Sequence, residues 1–193
     1  MHFGPLISAQ AIVSNFPIIE ADVKILEPPL DAPFYYRAFY LDRLAEAVVL
    51  QVAGREMVVI NVHLEAFSRE TRVNQAKELV EFYRKFADNY PVLLVGDFNA
   101  VPPFEDLRGT EWEEPTITYF LTELDLEEVI LKDKMDISDT SSYTFSSGKP
   151  MGKIDYIFYS KSKIEVVEAR VLHEAGEISD HLPVMAKFIF KED

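Results

Sequence analysis

The feature that most constrains the fold is a pair of apolar runs, each ending in side chains that carry chemistry. Residues 57–64 are mostly branched and apolar and end near His63, whereas residues 92–95 are wholly apolar and lead into Asp97. Short apolar runs of this kind favour buried strands. Between them, residues 69–88 repeat apolar side chains at three- and four-residue steps, which predicts an amphipathic helix. The sequence therefore predicts two buried strands that end in functional side chains.

Further strands and a second helix extend this pattern. Gly54 and Arg55 join two β-rich runs as a hairpin, and Ser68 is a plausible cap for the first helix. Pro115 can open the second helix. The remaining strands are predicted at 11–14, 23–26, 45–53, 153–159, 163–172 and 183–190. Because strands first alternate with helices and then follow one another as hairpins, we expect a mixed sheet or two packed sheets flanked by helices.

Composition narrows the class of protein. A chain of 193 residues has the length of one domain, so we treat residues 1–193 as a single domain. It has 33 acidic and 19 basic residues, and this net charge of -14 disfavours binding to duplex DNA. The absence of cysteine excludes disulfides and cysteine nucleophiles. No apolar run approaches the roughly 20 residues of a membrane span, and residues 1–19 lack a signal-peptide pattern, so we expect a cytoplasmic protein.

Asp97 and Asn99 follow Gly96 at the end of a predicted buried strand. One interpretation is a simple turn, since Gly, Asp and Asn are common turn residues. The other is that Asp97 accepts a proton from an attacking water, while Asn99 holds that water or a phosphate oxygen. Both interpretations stay open from these residues alone.

The segment from Ser179 to Pro183 places Asp180 beside His181 before the last predicted strand. Ser179 or Asp180 could cap a turn, with His181 an ordinary surface residue. Alternatively, Asp180 binds a divalent cation while His181 faces a phosphoryl group. We favour the second interpretation, because Pro183 fixes the local backbone.

Asp155 stands among apolar neighbours in a predicted strand, where a carboxylate is costly unless it is paired. It could bond backbone amides or Lys153. It could instead hold the tautomer of His181, as in any oriented His–Asp pair. His63 taken alone indicates little, because a histidine that ends an apolar strand is more often structural than catalytic.

Several side chains could contact a phosphate, although most are expected to be ordinary solvated groups. They are Arg37, Arg43, Arg72, Gln75 and Lys149.

Four short segments, in this order and spacing, resemble the endonuclease/exonuclease/phosphatase superfamily. They are His63-Leu64, Gly96-Asp97-Phe98-Asn99, Lys153-Ile154-Asp155-Tyr156 and Ser179-Asp180-His181. The resemblance extends over roughly residues 9–190. It implies an α+β fold, a four-layer α/β/β/α sandwich with two packed mixed sheets, here N-terminally incomplete. It also implies a divalent-metal-dependent phosphoesterase that cleaves phosphodiesters with an activated water.

The resemblance further implies roles for individual residues. Asp97 would be the general base, and Asn99 a ligand of phosphate and water. His181, paired with Asp155, would contact the scissile phosphate. His63 would stabilise the transition state from the other side.

For the metal, the resemblance implies that Asp180 helps to hold Mg²⁺ or Mn²⁺. Members of the superfamily open with a strand bearing an Asn and then a Gln-Glu pair whose Glu binds the metal, and neither precedes Ala9 here. A shortened chain, a segment supplied by another chain, or an inactive remnant would each account for this. A truncated sheet exposes strand edges, so we expect a homo-oligomer or a partner segment that covers the missing strands.

Two functional hypotheses follow. The first is hydrolysis of a phosphoester, with a small molecule, a lipid headgroup or a nucleic-acid end as the substrate. The second is a catalytically inactive or split fragment that acts as a phosphate-binding or interaction module.

Overall fold

The computed structural model describes residues 9–29, 32–34, 40–104, 113–131 and 140–192. The strands are β1 Ile18–Ile25, β2 Leu44–Val52, β3 Arg55–His63, β4 Val92–Asp97, β5 Leu126–Glu128, β6 Asp155–Ser160, β7 Ile164–Val171 and β8 Val184–Phe190. The α-helices are α1 Arg69–Ala87 and α2 Pro115–Glu123, and short 3-10 helices lie at Thr140–Ser142 and His173–Ala175.

Within these ranges the strands form two sheets. The larger has the order β1-β2-β3-β4-β6-β5, and the smaller pairs β7 with β8. β3 and β4 are parallel and are joined through α1, since a parallel pair needs a crossover, whereas the other pairs are antiparallel. The predicted α+β class with two sheets is confirmed. Mixed pairing belongs to the large sheet, because the described part of the small sheet is an antiparallel hairpin.

Side chains of β3 and β4 alternate in direction, so these strands present apolar side chains on both faces of the large sheet. Each face is covered by another layer. One face packs on the helices, with Val58 and Ile60 in the same core as Leu79 and Phe120. The opposite face packs on the β7–β8 hairpin through a smaller core of Val48, Leu50, Met57 and Ile164. The functional side chains lie at one end of this second face.

Both predicted helices are confirmed, as is the Ser68 cap of the first. Ser68 ends the preceding loop, and its Oγ accepts a hydrogen bond from the Thr71 backbone N–H at 3.2 Å. Pro115 opens α2, where its missing N–H costs nothing, and Glu114 caps the helix.

The predicted strand at 11–14 is wrong. Val13 is 95% exposed, and the first strand instead begins at Ile18, paired with Leu50 of β2. Pro17 directly precedes β1, and its carbonyl accepts a hydrogen bond from the Gln51 N–H. This short segment lies outside every strand pairing of the described residues.

β1 is an edge strand that leaves apolar side chains in contact with solvent. Val23 and Ile25 are 55% and 64% exposed. The expected association with a second copy or a partner segment stays a prediction. No helix in the described ranges is long and apolar enough to cross a membrane.

Candidate active site

Three strand ends meet in one row at the edge of the large sheet. His63, the last residue of β3, is in register with Asp97 at the end of β4. Asp97 is in turn in register with Asp155, the first residue of β6. Side chains that share a row point to the same face, so three residues distant in sequence converge there. The segment that precedes β8 brings His181 to the same place, with its Nδ1 2.8 Å from Oδ2 of Asp155.

Asp97 is held by its own loop. Its Oδ1 accepts a hydrogen bond from the Asn99 backbone N–H at 2.8 Å. The Asn99 amide nitrogen donates to the Leu64 carbonyl at 3.0 Å and to Asp97 Oδ2 at 3.3 Å. Asn99 adopts a φ of 48°, a left-handed conformation that asparagine tolerates better than most residues. Asn99 thus connects the ends of β3 and β4 and orients the Asp97 carboxylate.

The pair of His181 and Asp155 is supported by Thr144, a residue that the sequence analysis missed. Thr144 is fully buried, and its Oγ1 accepts a hydrogen bond from the Asp155 N–H at 3.2 Å. Its carbonyl accepts another from the Leu182 N–H at 2.7 Å. One buried residue therefore fixes the backbone beside both partners. Thr144 lies outside any regular strand or α-helix, so hydrophobic periodicity gave no signal for it.

The pKa values of Asp97 and His181 are both raised above their ordinary values, for different reasons. Burial and the nearby Asp155 charge raise the pKa of Asp97 to about 6. Burial opposes protonation of His181, but the hydrogen bond and charge of Asp155, together with the Asp97 charge, outweigh it and raise the pKa of His181. Asp97 therefore binds a proton more readily than a free Asp, and His181 keeps its proton more readily than a free His.

His63 has a different environment. Its Nε2 lies 2.9 Å from Nη1 of Arg43 and 3.4 Å from Oδ2 of Asp97. Burial first, and then the Arg43 charge, lower the pKa of His63 to about 4. Because a guanidinium can only donate, Nε2 accepts, and the proton of the neutral ring resides on Nδ1.

Of the described side chains that were predicted as possible phosphate contacts, only Arg43 lies close to the cluster. Arg43 lies in the site, whereas Arg72 is buried, forms an ion pair with Glu114 and donates to the Glu65 carbonyl. Gln75 is fully buried and makes structural hydrogen bonds. Lys149 is exposed. Arg37 lies outside the described residues.

Asp155 was expected to contact either Lys153 or His181, and the structure shows that it contacts both, through different groups. Its carboxylate binds His181, whereas its backbone carbonyl accepts a hydrogen bond from Lys153 Nζ at 3.0 Å. Lys153 also lies 3.1 Å from Oε1 of Glu128 on β5, with both side chains fully buried. Glu128 was missed because β5 is only three residues long and two of them are acidic.

Comparisons with known proteins show the family and the fold of this chain. Residues 3–181 match the sequence profile of the Endonuclease/Exonuclease/phosphatase family. The chain belongs to this family. Nocturnin from Drosophila melanogaster is 28% identical over 142 residues, which cover 64% of this chain and 22% of that protein.

Solved structures of family proteins share the fold. A mannosyl-6-phosphatase from Bacteroides thetaiotaomicron superposes with a TM-score of 0.66 at 22% identity, covering 91% of this chain and 67% of that one. The human Nocturnin catalytic domain with bound sulfate gives a TM-score of 0.64 at 22% identity, covering 91% of this chain and 60% of that one. This chain thus aligns almost throughout, but spans about two thirds or less of these structures.

The cluster at the sheet edge contains side chains that fit a divalent cation. Among the described residues, Asp97, Asp155 and His181 have ligand atoms within 4.8 Å of one another. Carboxylate oxygens suit hard cations, and two carboxylates so close repel each other, an effect that contributes to the raised pKa of Asp97. Asp180, predicted as the metal ligand, is exposed and lies outside this group of three.

Proposed function

We propose that this protein hydrolyses phosphoesters, preferably phosphodiesters, by attack of an activated water and with the help of Mg²⁺ or Mn²⁺. The observation that supports this most is the convergence of His63, Asp97, Asp155 and His181 at one sheet edge. A fold needs no such cluster for stability, because buried carboxylates and imidazoles are costly to desolvate.

Asp97 is proposed as the group that accepts the proton of the water. A general base works best when its pKa approaches the operating pH, and the pKa of Asp97 is raised to about 6. The carboxylate is still mostly ionised at pH 7. Asn99 fixes its orientation through two hydrogen bonds, so the water would meet a positioned base.

His181 is proposed to donate a hydrogen bond to a phosphoryl oxygen through Nε2. Asp155 binds Nδ1 at 2.8 Å and stabilises the protonated ring. A charged donor aimed at a phosphoryl oxygen stabilises negative charge that grows in the transition state. From the opposite side of Asp97, Arg43 would supply the charged donor, and His63 accepts a hydrogen bond from Arg43 and so orients its guanidinium.

A divalent cation would be held by Asp155, with Asp180 near enough to influence the charge of His181, so that Asp97 stays free to accept the proton. When bound, it would neutralise charge on the phosphoryl oxygens. Such a cation commonly takes only one or two carboxylates and completes its shell with water and phosphate oxygens.

The net charge of -14 favours small phosphoesters or single-stranded ends over long duplex DNA as substrates. The substrates of Nocturnin and of the mannosyl-6-phosphatase are not proposed as substrates of this chain.

The first prediction tests the reaction directly. Bis(p-nitrophenyl) phosphate and p-nitrophenyl phosphate are incubated with the wild type in Mg²⁺, Mn²⁺ or EDTA. His181→Ala and Asp97→Asn should each lower kcat/KM about 100-fold or more, because each removes a group that acts in the transition state. EDTA should lower the wild-type rate to that of the variants.

Matched controls exist in the same chain. His173→Ala and Asp125→Asn change an exposed histidine and an exposed aspartate outside the site and should keep full activity. Equal rates in the wild type and both site variants would contradict the proposal. Tight phosphate binding without turnover would favour the alternative of an inactive phosphate-binding module.

A further inference from the structure

Glu65 is a fully buried carboxylate to which the proposed reaction gives no role. It lies two residues beyond His63, the last residue of β3. An ionised carboxylate is costly to bury unless charged or hydrogen-bonding groups surround it. The groups around Glu65 therefore indicate what this side chain does.

One oxygen of Glu65 fixes the loop that follows β3. Its Oε1 accepts hydrogen bonds from the backbone N–H groups of Phe67 at 2.9 Å and of Ser68 at 3.3 Å. The buried hydroxyl of Tyr40 donates a further hydrogen bond to the carboxylate. Gln75 joins the two partners, because its amide oxygen accepts the Glu65 N–H at 2.8 Å and its amide nitrogen donates to the Tyr40 hydroxyl at 3.2 Å. The position of the Glu65 carboxylate is thus fixed by its neighbours.

The other oxygen of Glu65 faces the cation of the site. Oε2 lies 4.0 Å from Nε of Arg43, a distance that makes an ion pair but not a direct hydrogen bond. The Arg43 side chain is 13% exposed, and its buried Nε has no hydrogen-bond partner within the described part of the chain. Nη1 of the same guanidinium lies 2.9 Å from Nε2 of His63. Arg43 therefore connects a fixed carboxylate to the active site.

The charges around Arg43 give Glu65 a role that Asp97 cannot fill. Asp97 is the second carboxylate near Arg43, whose charge opposes the burial that raises the pKa of Asp97 to about 6. Once Asp97 has taken up the proton of the water, it no longer balances the charge of the guanidinium. Glu65 takes no part in that proton transfer, so it can balance Arg43 throughout the reaction.

We propose that Glu65 is a positioning residue that holds the Arg43 guanidinium in place, so that its nitrogens face a phosphoryl oxygen bound beside Asp97. The proposal rests on the proposed function, in which Arg43 is the charged donor. An arginine presents its nitrogens in a rigid planar fork, so fixing the Nε edge also fixes the direction of both Nη groups. Glu65 acts through Arg43 and does not contact the substrate.

The first test is spectroscopic and needs neither substrate nor metal. In ¹H–¹⁵N NMR spectra of the full chain in EDTA, the Nε–H signal of Arg43 is identified by its loss in Arg43→Lys. Glu65→Gln keeps an oxygen for the backbone N–H groups and removes the charge that faces Arg43. The signal should then move towards the position of a free arginine, and its exchange with water should become about ten-fold faster. An unchanged signal would overturn the proposal.

Glu78→Gln is the matched control for this test. Glu78 on α1 also accepts a backbone N–H, that of Glu27 at 2.9 Å, and also faces a cation, with its Oε2 2.8 Å from Nζ of Lys24. Because Glu78 lies outside the site, its substitution should leave the Arg43 signal and kcat/KM as in the wild type. Equal changes of the Arg43 signal in the two variants would contradict a specific role of Glu65.

A double-mutant cycle then tests whether Glu65 acts through Arg43. With bis(p-nitrophenyl) phosphate and Mg²⁺, Glu65→Gln should lower kcat/KM about ten-fold in the wild type. In the Arg43→Gln background it should lower kcat/KM by less than about two-fold, because the group that it positions is absent. Urea unfolding shows how much stability each variant loses. A change of fold stability alone would lower the rate by the same factor in both backgrounds, and that result, or a rate raised by Glu65→Gln, would overturn the proposal.

Arg43→Lys tests the proposal even if Glu65→Gln does not fold. Lysine keeps the charge but has no planar fork to face Glu65 and His63 at once, so kcat/KM should fall about ten-fold. Full activity of Arg43→Lys would show that the direction of the guanidinium does not matter, which overturns the proposal. If the wild type hydrolyses no ester, the proposed function fails, and the Arg43 signal alone decides whether Glu65 holds the guanidinium.

Discussion

Arg43 directly precedes β2 and His63 ends the neighbouring β3, and their contact helps to decide which protonation state the imidazole adopts. The guanidinium lies 2.9 Å from Nε2, and its charge is the second cause, after burial, of the low pKa of His63. A protonated ring would place two cations against each other. His63 is therefore held neutral with Nε2 as an acceptor.

Arg43→Gln should raise the pKa of His63 above its value of about 4. It should remain below 6.5, because burial is the larger cause and the substitution keeps it. An NMR titration of the His63 ring in EDTA measures the change. Arg84→Gln, on the exposed surface of α1, is the control. An unchanged pKa in Arg43→Gln would show that the contact does not act on the ring.

The low pKa of His63 in the folded protein also predicts that the stability of the protein depends on pH. Between pH 6.5 and about 4 the unfolded state binds a proton at His63 and the folded state does not. The contribution of His63 is therefore fully present above pH 6.5 and is lost as the pH falls towards 4. In urea unfolding at pH 7, 6 and 5, Arg43→Gln should lose less stability than the wild type over this window.

The backbones of β3 and β4 leave no room for a side chain at Gly96, which precedes Asp97. Gly96 has a φ of 136°, and a Cβ there would lie 2.0 Å from the Val62 carbonyl oxygen. Any side chain would separate the strand ends that bring His63 and Asp97 into one row. Position 96 must therefore be glycine, because the backbone of β3 at Val62 leaves no space for a Cβ atom.

Gly96→Ala should destabilise the fold and lower activity together. Gly54→Ala is the matched control, since Gly54 has a φ of 85° but no atom within 4 Å of the added Cβ. The control should cost about 1–3 kcal/mol of backbone strain, and Gly96→Ala should cost clearly more. Urea unfolding measures both. Equal losses would mean that the contact with Val62 relaxes freely.

The sequence pattern predicts β3 and β4 as strands, but it does not predict β5 or its pairing with β6. β3 and β4 have long apolar runs, and their strand assignments follow from that pattern. β5 contains Leu126 and two glutamates, and it forms a strand because β6 offers it an edge and Lys153 pairs with Glu128. Strand formation there depends on a partner that is distant in sequence.

At the scale of the whole molecule, the buried pair of Lys153 and Glu128 joins the core to the site. Lys153→Met should reduce the free energy of unfolding by about 3–5 kcal/mol, because it leaves a buried carboxylate without its partner. Lys187→Met breaks an exposed pair with Glu168 and should cost less than about 1 kcal/mol. Urea unfolding of both variants tests this, and similar losses would contradict a fully buried pair.

The amino-acid sequence by itself predicted both described helices, most strands and the residues that meet in the proposed active site. Apolar periodicity and capping residues act locally, so the helix at 69–88 and the strand at 92–95 could be predicted without a structure. The sequence could not choose between the two interpretations of Asp155, and it gave no sign of Thr144 or of the contact between Arg43 and His63. Only the tertiary structure decided these, because hydrogen bonds across strands depend on register. Register here brings residues 63, 97, 155 and 181 to one edge.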